Sequence, residues 1–172
     1  RDKQLDFQDQ AIRVKVSDQN ICFNDRLQGQ HCANLQRDLG DFVLKRRDGI
    51  INYQLAVVVD DYLQEISHVV RGADLLDNTE RQIWLGQLLG YPALEYMHLP
   101  LAMNHLGQKL SKQNLAQALD LKHAPELLLQ AIIALGQAPV DLDQPDLMLA
   151  QAVAQWDISR IPQGTTLQSI YQ

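Results

Sequence analysis

From Ala11 the side chains alternate, with Ile12, Val14 and Val16 on one side and Arg13 and Lys15 on the other. That period of two predicts a half-buried strand. Ser17-Asp18-Gln19-Asn20 supplies a turn, and Ile21, Phe23 and Leu27 predict a returning strand ended by Gly29, a small antiparallel unit with one wet face. Phe42 to Arg47 reads as a further strand, Asp48-Gly49 as a hairpin turn and Ile50 to Asp60 as the next strand. Within it, Leu55-Ala56-Val57-Val58-Val59 is continuously apolar, the pattern of a strand covered on both faces. Asp60-Asp61 ends the run and reads either as a ligand-facing strand exit or as a solvated turn.

His68 to Gly72 is a second short candidate for a buried strand. Thr79 with Gln82 three positions on forms a capping box, Ile83, Leu85, Leu88 and Leu89 supply an apolar helix face, and Gly90 closes it ahead of Pro92. Tyr96 to Met103 reads as a strand that enters the next loop. This strand, helix, strand order is half of a nucleotide-binding α/β sheet; no glycine-rich phosphate turn precedes it. Beyond Gln113 the pattern is helical. Pro125 fits the first turn of a helix through Leu127, Leu128, Ala131, Ile132 and Leu135, closed by Gly136, and Pro145 opens another with Leu149, Val153 and Trp156 facing inward.

The 172 residues, 46% hydrophobic and 21% charged, suit one domain or one and a fraction, with a core that needs no staple. No apolar run is long enough to cross a bilayer and no charged-then-apolar leader opens the chain, so a cytoplasmic protein with no membrane partner is expected. A net charge of -6 argues against a non-specific coat on nucleic acid, while Lys45-Arg46-Arg47 leaves room for a local basic groove. Cys22 and Cys32 lack the spacing of a disulfide framework or a zinc ribbon, and with His31 they offer too few ligands for a metal. The opening at Arg1, on a polar segment without an initiator methionine, leads us to expect a piece of a longer protein.

The chemistry gathers in Lys109-Leu110-Ser111-Lys112-Gln113, just after Gly107. Two lysines bracketing a serine on a glycine-preceded loop read as a cationic clamp for a triphosphate or as an ordinary solvated loop.

Five ordered runs decide between them: Asp48-Gly49-Ile50-Ile51-Asn52-Tyr53-Gln54-Leu55-Ala56-Val57-Val58-Val59-Asp60-Asp61, Val70-Arg71-Gly72-Ala73-Asp74-Leu75-Leu76, Thr79-Glu80-Arg81-Gln82, His98-Leu99-Pro100-Leu101 and Lys109 to Gln113. In this order and spacing they resemble the class I glutamyl-tRNA synthetase-like family, over roughly residues 10 to 115. The resemblance implies an α/β fold: the second half of a class I Rossmann-like nucleotide-binding sheet, with a small β-rich insert before it and a short helical C-terminal region. The expected divisions are 1–40, a remnant of the acceptor-type insert, 41–113, the catalytic half ending in the KLSKQ loop, and 114–172, the helical region.

The last segment is too short for the helical anticodon-binding region of a full glutamyl-tRNA synthetase. The chain therefore resembles most the short branch that activates glutamate with ATP as glutamyl-adenylate and attaches it to the queuosine base of tRNA(Asp). That resemblance implies glutamate, ATP with Mg, and queuosine-bearing tRNA(Asp) as partners, in a monomer. Tyr53 and Arg71 would line the glutamate pocket, and Lys112, supported by Lys109, would offset charge on the departing pyrophosphate, with Ser111 orienting the loop, touching phosphate or simply forming the turn. An arginine fork suits a carboxylate and distinguishes glutamate from glutamine. The family's first signature turn, its N-terminal arginine and acidic residue, and the cysteines that bind zinc in many members do not occur here; zinc ligands would lie upstream. The fragment alone is expected to be inactive, and two alternatives stay open: part of a true glutamyl-tRNA synthetase, or a non-catalytic RNA-binding module.

Overall fold

A computed structural model describes residues 10–111, 116 and 118–167. They form two compact units: one runs to Arg71 and resumes over Leu75–Met97, the other takes Gly72–Asp74 and the chain from His98. The mixture of helices and small sheets is the α/β character expected.

In the first unit β1 (Ile12–Val14) pairs antiparallel with β4 (Phe42–Lys45), while β2 (Asn20–Asp25) pairs with β3 (Gly29–Asn34). The expected return strand thus stops at Asp25, and Gly29 begins β3 instead of ending β2. Asp25 explains the stop. Its buried carboxylate accepts from the backbone N–H of Leu27 at 3.0 Å and of Gln28 at 2.9 Å, closing a tight turn. Directly opposed in this register, with Cα atoms 4.1 Å apart, Cys22 and Cys32 form a disulfide, contrary to the expectation of two separate thiols. The pairing comes from strand register, which spacing alone does not reveal.

The turn at Asp48-Gly49 forms as expected, with an antiparallel bridge from Lys45 to Ile51. The next segment is a helix and not the expected strand. Asn52 accepts from the Gln54 N–H at 3.0 Å, caps the chain, and α1 runs over Tyr53–Leu63. The apolar run Leu55–Val59 is too short to separate a buried strand from a helix, and a cap immediately before it decides for the helix over the β preference of three valines. Only Val58 of α1 is buried.

β5 (His68–Gly72) and β6 (Glu95–Leu99) pair in a further sheet. β5 is not covered on both faces, since its residues alternate and Val70 is exposed. Between them α2 (Thr79–Leu89) ends as expected at Gly90, which has φ 71° and donates to Gln87 O. The expected capping box is displaced: Asn78, not Thr79, holds the cap position, without a side-chain cap bond, and Thr79 is buried within the first turn. The inner face holds Thr79, Glu80, Gln82 and Leu85, leaving Leu88 and Leu89 exposed. Val16, Ile21 and Leu35 form the apolar centre of this unit, with Ile83 and Trp84 of α2 packed on it.

The expected strand from Tyr96 to Met103 breaks at Pro100, which lacks the N–H a ladder needs. In the second unit β7 (Leu101–Ala102) pairs parallel with β8 (Thr166–Leu167). α3 (Ala124–Ala134) has Pro125 in its first turn and a left-handed glycine, Gly136, after it. α4 (Pro145–Ala154) turns Met148 and Ala152 into a core with Ile132 and Val140, so the predicted inner face of Leu149, Val153 and Trp156 is instead exposed. The buried stripe follows the i, i+4 pair 148 and 152, one position away from the larger side chains.

Candidate functional site

Arg71 sits near the end of β5, and Thr79, Leu75 and Tyr96 are among the groups that hold its guanidinium. Nη2 donates to the hydroxyl of Thr79 at 2.9 Å and more weakly to the carbonyl of Leu75 at 3.4 Å. The Tyr96 ring lies under Cζ, 5.6 Å to its centroid, within reach of a cation–π attraction. Thr79 is fully buried and Tyr96 nearly so. Burial pushes the Tyr96 phenol up to about 12, with Arg71 acting the other way. Asp61 on α1 also feels this guanidinium: partial burial raises its carboxyl, Arg71 lowers it, and Asp60 raises it again.

Tyr53 opens α1 and is about half exposed. The residue after it, Gln54, donates to Asn78 Oδ1 and accepts from Gln82 Nε2 at 2.9 Å. Since Asn78 immediately precedes Thr79, this amide chain and the Arg71–Thr79 bond bring the start of α1 and the end of β5 to the same helix terminus. Tyr53 and Arg71, expected to share a pocket, thus share a supporting framework. Thr79, Tyr96 and Gln54 carry it, and sequence reasoning missed them: Thr79 reads as a helix cap, Tyr96 as the start of a strand, and nothing in their spacing from Arg71 marks a contact.

A cavity of about 510 Å³ opens beside this framework. Val58, Asp61, Tyr62, Ile83, Tyr91 and Tyr96 are among its walls. Tyr62 and Tyr91 stack face to face, 3.8 Å apart and 2° from parallel. Asp61 and Tyr96 belong to both the cavity and the surroundings of Arg71.

In the second unit the loop carrying Lys109 is a defined turn. Asn104 Oδ1 accepts from the N–H groups of Leu106 at 3.0 Å and Gln108 at 2.9 Å, Gly107 adopts φ 72°, and Lys109 bridges back to Met103. Lys109 Nζ pairs with Asp74 Oδ2. A Cβ on Gly72 would stand 2.5 Å from Asp74 Oδ1 and 3.0 Å from Leu101 Cδ2, so glycine there leaves the carboxylate its place. Ser111 O accepts from Ala116 N at 3.1 Å. Lys112, the main cation of the expected clamp, lies outside the described residues.

Among the described residues there is no group of three His, Cys, Asp or Glu able to hold a metal ion, and the two cysteine sulfurs are joined to each other. These residues do not fit a zinc site.

Residues 1–159 match the family described as tRNA synthetases class I (E and Q), catalytic domain. Among curated proteins, the chain is 70% identical over 171 residues to the glutamyl-Q tRNA(Asp) synthetase of Acinetobacter baylyi, covering 99% of this chain and 59% of that protein. It is 51% identical over 154 residues to the enzyme of the same name from Neisseria meningitidis, covering 88% of this chain and 52% of the relative. For that of Ectopseudomonas mendocina the identity is 47% over 162 residues, with 92% and 55% covered. The chain thus spans about half the length of the curated relatives it matches. Among solved structures, a glutamate tRNA ligase from Elizabethkingia meningosepticum in complex with its amino acid superposes with a TM-score of 0.68 at 24% identity, over 88% of this chain and 34% of that one. The glutamate-tRNA synthetase of Elizabethkingia anophelis gives 0.69 at 23%, over 89% and 35%. At such identities these two speak for the fold, and they agree with the class I α/β reading. With the family matched across all but the last residues, the chain belongs to the catalytic domain of the class I tRNA synthetases for glutamate and glutamine.

Proposed function

We propose that this chain is part of an ATP-dependent ligase that activates glutamate as glutamyl-adenylate and transfers it to the queuosine base of tRNA(Asp). The glutamate carboxylate attacks the α-phosphorus of ATP, the bond to pyrophosphate breaks, and a hydroxyl of the queuosine base then takes the acyl group and releases AMP. No protein nucleophile is required, so positioning and electrostatics do the work. In this reading Arg71 holds the substrate's acidic side chain, with Tyr53 as a second hydrogen-bonding group. Lys112, with Lys109 and Ser111, faces the phosphates. Magnesium accompanies ATP as its counter-ion, zinc is left to residues outside this chain, and the enzyme is a cytoplasmic monomer. The divisions 1–40, 41–113 and 114–172 keep the roles of insert, catalytic half and helical region.

The observation that carries the reading is the held guanidinium of Arg71, fixed by a buried hydroxyl on one side and an aromatic face on another. The names of the relatives supply the substrate class. The test is glutamate-dependent pyrophosphate exchange by the gene product that contains this chain. Lys112→Ala is expected to reduce exchange at least tenfold, and Arg71→Lys to raise the KM for glutamate at least tenfold while discrimination against glutamine relaxes. Unchanged exchange in both variants rejects the assignment.

A further inference from the structure

We infer that Thr79 is a positioning residue for the amino-acid specificity of this enzyme: its buried hydroxyl sets the orientation of the Arg71 guanidinium. The inference rests on the proposed role of Arg71 and goes beyond it by naming the group that makes that role precise. Thr79 occupies the first position of α2, one residue past the place where threonine ordinarily serves as a cap. Its Oγ1 donates to the Leu75 carbonyl at 3.4 Å and accepts from Arg71 Nη2 at 2.9 Å. One hydroxyl proton directed at Leu75 turns a lone pair toward the guanidinium, so the direction of the bond from Arg71 is set by the neighbouring carbonyl as well.

Burial adds the second element. With Thr79 at 0% exposure and Tyr96 at 5%, the half-buried Arg71 meets partners that are themselves shielded from water, where a hydrogen bond to a charged group is worth more than at the open surface. The Tyr96 ring opposes one face of the guanidinium while Thr79 takes an edge, so plane and rotation are both restricted. An arginine side chain carries large rotamer freedom; ordering it before the substrate arrives removes that cost from binding.

Glutamate-dependent pyrophosphate exchange by the gene product carrying Thr79→Val, a near-isosteric change that puts a methyl in place of the hydroxyl, is the test. The KM for glutamate is expected to rise about tenfold with kcat and the KM for ATP nearly unchanged, and the preference over glutamine to fall by a similar factor. Thr79→Ser, which keeps the hydroxyl, restores the glutamate KM; a merely structural threonine would not be rescued in this selective way. Thr79→Ala reads the same loss should the valine variant fold poorly. A glutamate KM and glutamine discrimination unchanged in both Val and Ala variants, or a serine variant as impaired as they are, overturns the inference while leaving the activity assigned. A wild-type protein with no glutamate-dependent exchange removes the assignment itself, and the inference falls with it.

Discussion

Lys109 Nζ lies 2.5 Å from Asp74 Oδ2, an ion pair that ties the first lysine of the KLSKQ loop to a carboxylate 35 positions upstream. Both side chains are roughly two-fifths exposed, so water and salt reach the pair. In the proposed reading, a triphosphate competes with Asp74 for Lys109.

Asp74→Asn tests that exchange. Stability should change by less than about 1 kcal/mol, as for other exposed pairs. The KM for ATP in pyrophosphate exchange should fall, by up to about fivefold at low salt, with the difference fading as salt rises. An unchanged KM at low salt would separate Lys109 from the phosphates.

Glu80 predicts a pH dependence of stability. It is buried on α2, and one of its carboxylate oxygens has no hydrogen-bond partner. Burial raises its pKa above the ordinary 4.5, against lowering by a backbone hydrogen bond and His31, with Asp77 raising it and Arg81 lowering it. Between the ordinary and the raised value the folded chain binds the proton more often than the unfolded one. The contribution is therefore complete below the ordinary value and lost as pH rises through the folded one. Glu80→Gln should raise Tm at pH 7 and make little difference at pH 4, read by thermal melts across pH. An equal shift at both values would locate the effect in packing.

Met148→Ala and Val153→Ala form a paired test of the α4 face. Met148 is fully buried, so its truncation should cost about 2–5 kcal/mol in denaturant unfolding. Val153 is 73% exposed, and its truncation should stay within about 0.5 kcal/mol. The reverse order would restore the face inferred from periodicity.

The Cys22–Cys32 bridge is checked by alkylation in denaturant. Without reductant neither cysteine should be modified, and after reduction both should be, as read by intact mass. Closing a loop across a separation of 10 residues should stabilise the chain by about 2–3 kcal/mol, so Cys22→Ser paired with Cys32→Ser should lower stability by about that amount.

Punctuation is the most readable part of the chain. Asp48-Gly49, Gly90, Pro125, Pro145 and Gly136 all act where residue chemistry demands, because a left-handed backbone or an absent N–H is a local property. The motif order leads to the family through resemblance, and the match over residues 1–159 agrees. Faces and partners are far less readable. Leu55–Val59 pattern as a buried strand until the Asn52 cap is weighed, and the α4 stripe passes through Met148 and Ala152 although larger apolar side chains stand one position away. The Cys22–Cys32 pairing depends on the register of β2 and β3, and the Arg71–Thr79 bond spans a 3₁₀ segment, Ala73–Asn78, whose path no periodicity encodes. These are tertiary facts, set by which surfaces meet and not by local preference.

The link from Gln54 to Asn78 and Gln82 is built wholly from uncharged amides. Such groups neither titrate nor attract counter-ions, so these hydrogen bonds carry no charge of their own for salt to screen or acid to remove. Salt therefore acts on the Lys109–Asp74 pair directly, whereas the amide link offers it no charge to screen.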